Sequence, residues 1–407
     1  MDNKKMVPEI RFPGFTDPWE QRKLDSLCDV FTDGDWIEAK DQSDSGVRLV
    51  QTGNVGTTEY LDKENNKKWI SEETFKRLRC KEIYEGDILI SRLPEPAGRA
   101  CIMPDLGTRM ITAVDCTIVR TSKEYDSKYL VQYLSTPSYF KAVNSFLGGG
   151  TRQRISRGNL SEIDVSIPTT LAEQKIIGEF FASIDNLITL HQRKLNEIKD
   201  FKKGMLQKMF PKSGERFPEI RFPGFTDPWE QRKLGDIFIE YSEKRHEELP
   251  PLTIIQGGGT ILRDESERVL QYDKSNLSGY KMVKKDDFIV HLRSFEGGLE
   301  KANTDGIISP AYHTFHGDST DTRFYYPFFR SRHFIDILLK PHVYGIRDGR
   351  SIDIEGMKTI KIPVPSLDEQ HCIGDFLECL DNLITLHQRK LDEMKELKKG
   401  LLQKMFI

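Results

Sequence analysis

Residues 8–24 read PEIRFPGFTDPWEQRKL, and residues 218–234 read PEIRFPGFTDPWEQRKL again. Seventeen identical residues in a row cannot arise by chance, so the chain contains an internal repeat, which is the first feature to interpret. A second segment, DNLITLHQRKL, occupies 185–195 and returns at 381–391. The sequence between these segments differs almost completely between the two halves. Identical segments that flank two unlike modules indicate a protein that holds its two modules in one fixed arrangement. Each module then recognises a different target.

Composition and charge narrow the class of protein. The chain has 407 residues and a mass of 47.0 kDa, enough for about two or three domains. Lys and Arg number 60 against 63 Asp and Glu, which excludes a uniformly basic DNA-coating protein but not a local basic surface. No apolar run reaches ~18 residues, so no membrane partner is expected. Six cysteines without a CxxC motif suit reduced thiols, and with the missing signal-peptide core they predict a cytoplasmic protein.

Two long helices are predicted where the repeats continue. The stretch 173–210 contains no proline, and its apolar residues alternate between spacings of four and three, as in a coiled-coil seam. The second copy has the same pattern, so the two helices most simply pack against each other in antiparallel orientation. For the two histidines of the seam, setting the helix register is preferred over a metal or switch role. The predicted seam residues are Ile177, Phe181, Ile184, Ile188, His191, Leu195 and Ile198, and Ile373, Leu377, Leu380, Ile384, His387, Leu391 and Met394.

Each module is predicted to end in a β-strand, a proline and the start of a helix. The first ends in IDVSIPTTLAEQ (163–174) and the second in IKIPVPSLDEQ (360–370), and apolar residues alternate in both as in a half-buried strand. An alignment at constant offset sets Pro168 opposite Pro363. Short strands of this kind recur along both modules, which are therefore predicted to be mixed α/β with mostly β character.

Candidate nucleic-acid contacts lie near strand ends and in glycine-containing loops. YEGDILISR (84–92) and KKDDFIVHLR (284–293) each predict a turn and a strand that leads to an arginine. Gly150-Thr151-Arg152 and Gly345-Ile346-Arg347 occupy corresponding places in regions rich in basic residues. Glycine lets a backbone approach closely, and the guanidinium fork of arginine suits phosphates and guanine edges.

These loops could equally be solvated basic turns that cap a strand. Their presence in both of two divergent modules favours nucleic acid as the ligand. The candidate DNA-binding residues are Arg92, Lys141, Arg152, Arg154, Arg157, Arg293, Arg330, Arg332, Arg347 and Arg350.

Sequence motifs for catalysis are missing. No Walker A, GxSxG, HExxH, EF-hand or Asp-Pro-Pro-Tyr sequence occurs. The run Gly257-Gly258-Gly259 lacks the strand and helix that a dinucleotide or methyl-donor site requires. The chain is therefore predicted to bind rather than to catalyse, with no catalytic residue, metal or cofactor of its own.

The repeated segments resemble the specificity subunit of type I restriction–modification systems. The likeness rests on FPGFTDPWEQRKL at the start of each module, IP followed by L-(A/D)-E-Q at its end, and the helix from HQRKL to LLQKMF. The resemblance implies an α+β fold, with two mixed α/β target-recognition domains joined by two long antiparallel helices in an internal pseudo-two-fold repeat. The implied domains are target-recognition domain 1 (1–170), a central conserved helical region (171–217), target-recognition domain 2 (218–367) and a C-terminal conserved helical region (368–407).

The resemblance also implies partners. Such a subunit reads a two-part sequence in double-stranded DNA, binds two modification subunits that methylate adenine, and joins restriction subunits. S-adenosylmethionine, ATP and Mg²⁺ are then expected in the partner subunits, and none is expected on this chain. Two alternatives remain open: a self-contained nuclease or methylase with a cryptic active site, and a coiled-coil assembly protein that does not bind DNA. Methyl transfer or cutting by the purified chain alone would support the first alternative.

An insertion in the first long helix tests whether the helices set the distance between the two half-sites. Adding about four residues within 187–205 lengthens the helix by roughly one turn and should change the gap tolerated between the half-sites. The measurement is methylation of DNA substrates whose half-sites are separated by different numbers of base pairs. An unchanged gap preference would contradict this role of the helix.

Overall fold

The computed structural model describes residues 6–148, 153–212, 214–266, 274–345 and 350–407, with the backbone alone for 274–276. The chain forms two compact units. Unit 1 comprises Met1–Arg193 and Gln388–Ile407, and unit 2 comprises Lys194–His387. The predicted α+β fold, with mixed helix-and-sheet modules and long helices, is confirmed. The predicted domain limits, which separate helices from modules, stay a prediction.

Unit 1 is built mainly from short strands. They form a five-stranded sheet in the order β3-β5-β4-β9-β6, a four-stranded sheet in the order β2-β10-β7-β8, and the pair β1-β11. Strands β4 and β9 pair in parallel, whereas the neighbours in the four-stranded sheet are antiparallel. The strands are β1 (Glu20–Lys23), β2 (Cys28–Asp33), β3 (Gln42–Ser43), β4 (Val47–Val50), β5 (Lys68–Ile70), β6 (Glu82–Ile83), β7 (Ile88–Ser91), β8 (Ala100–Ile102), β9 (Met110–Thr112), β10 (Cys116–Thr121) and β11 (Asp164–Ile167). The helices are α1 (Glu72–Leu78), α2 (Ser127–Tyr133), α3 (Pro137–Ser145), α4 (Arg157–Ser161) and the first part of α5 (Leu171–Lys208).

Unit 2 has a comparable antiparallel four-stranded sheet, β13-β20-β17-β18, and otherwise two-stranded pairs, β12-β23, β14-β15, β16-β19 and β21-β22. Its strands are β12 (Glu230–Lys233), β13 (Ile239–Tyr241), β14 (Leu252–Ile255), β15 (Gly259–Leu262), β16 (Lys281–Val283), β17 (Phe288–Val290), β18 (Glu300–Lys301), β19 (Gly306–Ile308), β20 (His313–His316), β21 (Val343–Tyr344), β22 (Ser351–Ile352) and β23 (Lys361–Val364). Its helices are α6 (Leu234–Ile237), α7 (Ser294–Gly297), α8 (Thr322–Phe329), a π-helical segment (His333–Leu339), α9 (Ile354–Lys358) and the first part of α10 (Leu367–Met405).

The repeated residues EQRK form the same strand in both units. In unit 1 this strand, β1, pairs with β11 at the end of the module, and in unit 2 the strand β12 pairs with β23. Both pairings are antiparallel. The start of each module is therefore tied to its end, immediately before the long helix begins.

The register of these strands corrects one alignment made from the sequence. The repeated arginine of the strand lies opposite Val165 in unit 1 and opposite Ile362 in unit 2. Pro168 therefore corresponds to Pro365, and its predicted match with Pro363 is wrong. The loop between strand and helix is one residue shorter in unit 2, which a constant offset could not accommodate. Pro363 lies inside β23, where a proline is tolerated because the sheet has only two strands.

A buried carboxylate fixes the repeated segment of unit 1 to the start of α5. Glu173 is 1% exposed and accepts hydrogen bonds from Nε and Nη2 of Arg11 at 2.7 and 2.8 Å. Trp19 donates a third hydrogen bond through Nε1 at 3.2 Å. Three donors on one carboxylate offset the cost of burying its charge, which a lone carboxylate would not tolerate.

Unit 2 repeats this arrangement with the second copies of the same residues. Glu369 is also 1% exposed, and it accepts hydrogen bonds from Nε and Nη2 of Arg221 at 2.6 and 2.7 Å. Trp229 donates through Nε1 at 3.0 Å. We call each set of three residues an Arg–Glu–Trp group. Because the three side chains bind one another, the arginine and tryptophan of the opening segment and the glutamate of the closing segment are all present in both halves of the chain.

The glutamine after each buried glutamate joins the helix to its module. The side-chain oxygen of Gln174 accepts a hydrogen bond from the N–H of Asp126, the residue that caps α2, at 2.9 Å. The oxygen of Gln370 accepts from the N–H of Asp321, which caps α8, at 3.0 Å. Each glutamine also donates to the carbonyl of the proline after the last strand, at 3.0 Å in both units. The Glu and Gln of the L-(A/D)-E-Q motif therefore connect the start of each long helix to the module that precedes it.

Within each unit, segments of the two long helices lie antiparallel. In unit 1 the ammonium of Lys398, near the end of α10, bonds to Asp185 in the first half of α5 at 2.6 Å. In unit 2 the equivalent bond joins Lys202, late in α5, to Asp381, early in α10. The predicted seam residues are all buried or half-buried, including the two histidines. No helix in the described part of the chain is long and apolar enough to cross a membrane.

An aromatic residue at a helix end completes the core of each unit. In unit 1, Phe406 follows α10 and lies 5.3 Å from the ring of Tyr129 and 5.6 Å from that of Phe181. In unit 2, Phe210 follows α5 and lies 5.0 Å from Phe324 and 5.6 Å from Phe328. The repeated LQKMF sequence therefore closes two separate cores, and each unit depends on a helix that starts in the other half of the sequence.

Replacing Phe406 by alanine tests this dependence. The substitution removes a nearly buried ring from the core of unit 1 and should lower the free energy of unfolding by ~3–5 kcal/mol, measured by urea denaturation. Leu397→Ala, on the exposed face of the same helix, is the matched control and should change stability by less than ~0.5 kcal/mol. Equal effects of the two substitutions would show that Phe406 does not complete the core.

Candidate nucleic-acid interface

Three strand ends of unit 1 bring charged residues together. Asp33 ends β2, Asp115 immediately precedes β10, and Arg92 immediately follows β7. These strands are neighbours in the four-stranded sheet. The three residues therefore lie together along the edge of the sheet at which these strands begin or end. The N–H of Arg92 donates to the carbonyl of Asp115 at 2.9 Å, which fixes the two backbones to each other.

Arg92, a predicted DNA contact, lies inside this edge. Its side chain is 8% exposed, and its Nη2 donates to the carbonyl of Val114 at 2.6 Å. Its Nε lies 3.4 Å from Asp33 and is a buried donor without a hydrogen-bond partner in the described part of the chain. This position suits a support between the two aspartates, and a direct contact of Arg92 with DNA stays a prediction.

Arg154 and Arg157 lie at the outside of the same group. Their side chains are 62% and 47% exposed, and their guanidinium groups lie 3.6 Å from Asp115 and 3.7 Å from Asp33, respectively. Between them, Ile155 is fully buried and its N–H donates to the carbonyl of Arg92 at 3.2 Å. The backbone that carries both arginines is therefore anchored to the strand edge.

The remaining candidates of unit 1 are less informative. Lys141 is exposed on α3. Arg152 lies outside the described residues, as does Arg347 in unit 2.

In unit 2 a buried carboxylate holds Arg330. Glu300 is fully buried in β18, and it accepts hydrogen bonds from the N–H of Gly257 at 2.7 Å and of Gly259 at 3.1 Å. The hydroxyl of Tyr326 donates at 2.7 Å, and Arg330 forms an ion pair with the same carboxylate. The glycine run therefore forms a turn around Glu300. A Cβ on Gly257 would lie 2.9 Å from Arg330, so the arginine rests directly against this turn.

Burial shifts two pKa values beside this group. Burial raises the pKa of Tyr326, and its hydrogen bond to Glu300 raises it further. Burial lowers the pKa of His291, the residue after β17, although the Glu300 charge opposes the shift. Both shifts favour the uncharged form of the side chain.

The other candidates of unit 2 lie near its surface. Arg350 is 41% exposed, donates to Glu296 at 2.9 Å, and stacks 4.3 Å from the ring centre of Phe295. Arg293 is exposed and directly precedes α7, the helix that carries Glu296. Arg332 is 85% exposed and lies 3.6 Å from Asp336.

The carboxylates beside the arginines were not predicted from the sequence. Asp33 and Asp115 are distant in sequence from Arg154 and Arg157, and no local pattern connects them. Two exposed aromatic residues were also missed: Trp36, 71% exposed and three residues after β2, and Tyr344, 60% exposed in β21. Among the described residues, no cluster of His, Cys, Asp and Glu is suited to hold a metal ion.

Comparison with known proteins identifies similar chains. The family model described as "Type I restriction modification DNA specificity domain" matches residues 16–200 and 226–396. The type I restriction enzyme MjaVIII specificity subunit of Methanocaldococcus jannaschii is 25% identical over 369 residues, which cover 84% of each chain. The type I restriction enzyme MjaX specificity subunit of the same organism is 22% identical over 406 residues, which cover 94% of this chain and 92% of the relative.

A solved structure has the same fold. The crystal structure of the type I restriction–modification system S subunit from M. genitalium aligns with a TM-score of 0.64 and covers 99% of both chains. The sequence identity is 15%, so this likeness concerns the fold alone.

Replacing Arg154 by alanine tests the interface of unit 1. Loss of an exposed arginine should weaken binding to a DNA duplex by ~1–3 kcal/mol at a base edge, or reduce the slope of log affinity against log salt by about one at a phosphate. Fluorescence anisotropy at several salt concentrations measures both quantities. Arg22→Ala removes a half-exposed arginine from the repeated segment and should leave both quantities unchanged. Unchanged binding by the Arg154 variant would remove this residue from the interface.

Proposed function

This chain belongs to the family of type I restriction–modification DNA specificity domains, and from that premise we propose that each of its units reads one part of a two-part DNA target. The chain is a DNA-recognition specificity subunit, and catalysis resides in its partner subunits. The matched family regions fall on both halves of the chain, which supports a reader in each.

The observation that carries the proposal is the contrast between frame and surface. The two Arg–Glu–Trp groups are made of the same residue types in both units, whereas the surroundings of the candidate arginines differ between the units. Unit 1 presents Arg154 and Arg157 beside two aspartates, and unit 2 presents Arg330 and Arg350 beside two glutamates. Arginine on a shared scaffold with different surroundings suits recognition of two different base sequences.

Exposed apolar residues on the helices are the proposed binding surface for two modification subunits. In unit 1 these residues are Leu187 and Leu190 on α5 and Leu397 on α10, with exposures of 46%, 57% and 57%. Unit 2 presents the residues at the equivalent repeat positions, Leu383, Leu386 and Phe201. Exposed apolar residues that cluster on one surface, rather than singly, mark protein–protein contact sites. One matching surface per unit supports one modification subunit per unit.

Other features of the complex remain predictions. They are double-stranded DNA as the form of the target, restriction subunits as further partners, S-adenosylmethionine, ATP and Mg²⁺ in the partner subunits, and a cytoplasmic location.

An exchange of one module tests the proposal. Residues 25–163 are replaced by the corresponding module of a related specificity subunit, while the repeated segments and both helices are kept. Because each unit reads its own part, only one part of the methylated sequence should change, as measured by mapping methylated adenines across the genome of a host that expresses the complex. The matched control exchanges residues 235–360 and should change only the other part. A change in both parts from one exchange, or in neither, would contradict separate reading.

A further inference from the structure

We infer that Asp33 and Asp115 are positioning residues, which orient Arg157 and Arg154 for recognition of the half-site read by unit 1. The inference rests on the proposed function and extends it from the arginines to the carboxylates behind them.

The five charged residues form an alternating series. Arg157 lies 3.7 Å from Asp33, Asp33 lies 3.4 Å from Arg92, Arg92 lies 4.0 Å from Asp115, and Asp115 lies 3.6 Å from Arg154. The central arginine is buried and the two outer ones are exposed. The position of each exposed guanidinium is thereby linked to the buried edge of the sheet.

The distances leave the donors of the exposed arginines available. Separations of 3.6 and 3.7 Å are longer than the ~2.7–3.2 Å of an N–H···O hydrogen bond. Within the described residues, neither Arg154 nor Arg157 donates a side-chain hydrogen bond. The aspartates therefore attract each guanidinium to a preferred place without occupying its N–H groups, and no other described residue accepts from these groups, so that they can serve a base edge or a phosphate.

Hydrogen bonds fix the backbone at both aspartates and also the carboxylate of Asp33. The hydroxyl of Thr117 donates to Asp33 at 3.0 Å, and the residue after Asp33, Gly34, donates its N–H to the carbonyl of Cys116 at 2.9 Å. Asp115 is fixed through its carbonyl, which accepts the N–H of Arg92. A carboxylate with a fixed backbone can restrict a long arginine side chain, whose free rotamers would otherwise cost entropy on binding.

The charge balance indicates selectivity rather than general attraction. The series holds three cations and two anions, so its net charge is only +1. Carboxylates beside a DNA-binding surface repel phosphates and weaken binding to any sequence. Aspartates that weaken general attraction yet orient arginines are expected to improve discrimination between sequences.

The test replaces Asp115 by asparagine in the full chain assembled with modification subunits. The probes are a duplex that carries the target sequence identified by methylation mapping, duplexes in which one half of that sequence is scrambled, and a duplex in which both halves are scrambled. Because one negative charge is removed, affinity for the fully scrambled duplex should stay the same or rise. Loss of orientation should lower the selectivity for the half read by unit 1 roughly tenfold, equivalent to ~1.4 kcal/mol, and leave the other half unaffected.

Further variants separate positioning from folding. Asp115→Glu keeps the charge and should retain most of the selectivity. Asp29→Asn removes a charge from an exposed position of the same strand as Asp33 and should retain all of it. In an Arg154→Ala background, Asp115→Asn should have no further effect on selectivity, because the residue that it positions is gone. Asp33→Asn, made alone and in an Arg157→Ala background, tests the other end of the series in the same way.

The outcomes are distinguishable. Full selectivity in Asp115→Asn, or an equal loss of selectivity in both halves, would overturn the inference, as would an undiminished effect of Asp115→Asn without Arg154. If the unaltered complex shows no selectivity for either half, the proposed function itself fails.

Discussion

The buried glutamate at the start of each long helix is the interaction on which the rest of the structure depends. A carboxylate that is 1% exposed is stable only if its charge is fully compensated, and here arginine and tryptophan of the opening segment supply the donors. Loss of the arginine would leave a buried charge without compensation, and loss of the tryptophan would remove one hydrogen bond from it. This constraint links the first residues of each module, its last strand and its helix, and it accounts for the identity of segments that surround unrelated sequences.

The long helices add a second constraint, because each of them contributes to both units. The first half of α5 contributes Phe181 to the core of unit 1, and its end carries Met209 into the core of unit 2. Helix α10 begins with Ile373 in the core of unit 2 and ends with Met405 in that of unit 1. Neither unit is complete without residues from distant parts of the chain. The repeated sequence therefore preserves two equivalent cores, while the strands and loops beyond them are free to diverge.

The sequence predicted features that depend on local periodicity. The helices followed from spacings of four and three, and the strand that closes each module followed from alternation. The alignment of Pro168 with Pro363 was wrong because a one-residue difference in loop length has no periodic signal. The site was predicted only as a set of basic residues. That Arg92 is buried, or that Asp33 lies beside Arg157, depends on strand order, and strand order is a property of the whole fold.

The central claim is that a common frame presents two independent readers to one DNA duplex. It is tested most directly by site-specific crosslinking, with Arg154→Cys in unit 1 or Arg350→Cys in unit 2 coupled to a short photoreactive group. The crosslinked nucleotides are then mapped on a duplex that carries the target. The account predicts that the two positions crosslink to different halves of the target, each within the half that changes when its own module is exchanged. Crosslinks from both positions to the same half, or crosslinks scattered evenly along the duplex, would contradict it.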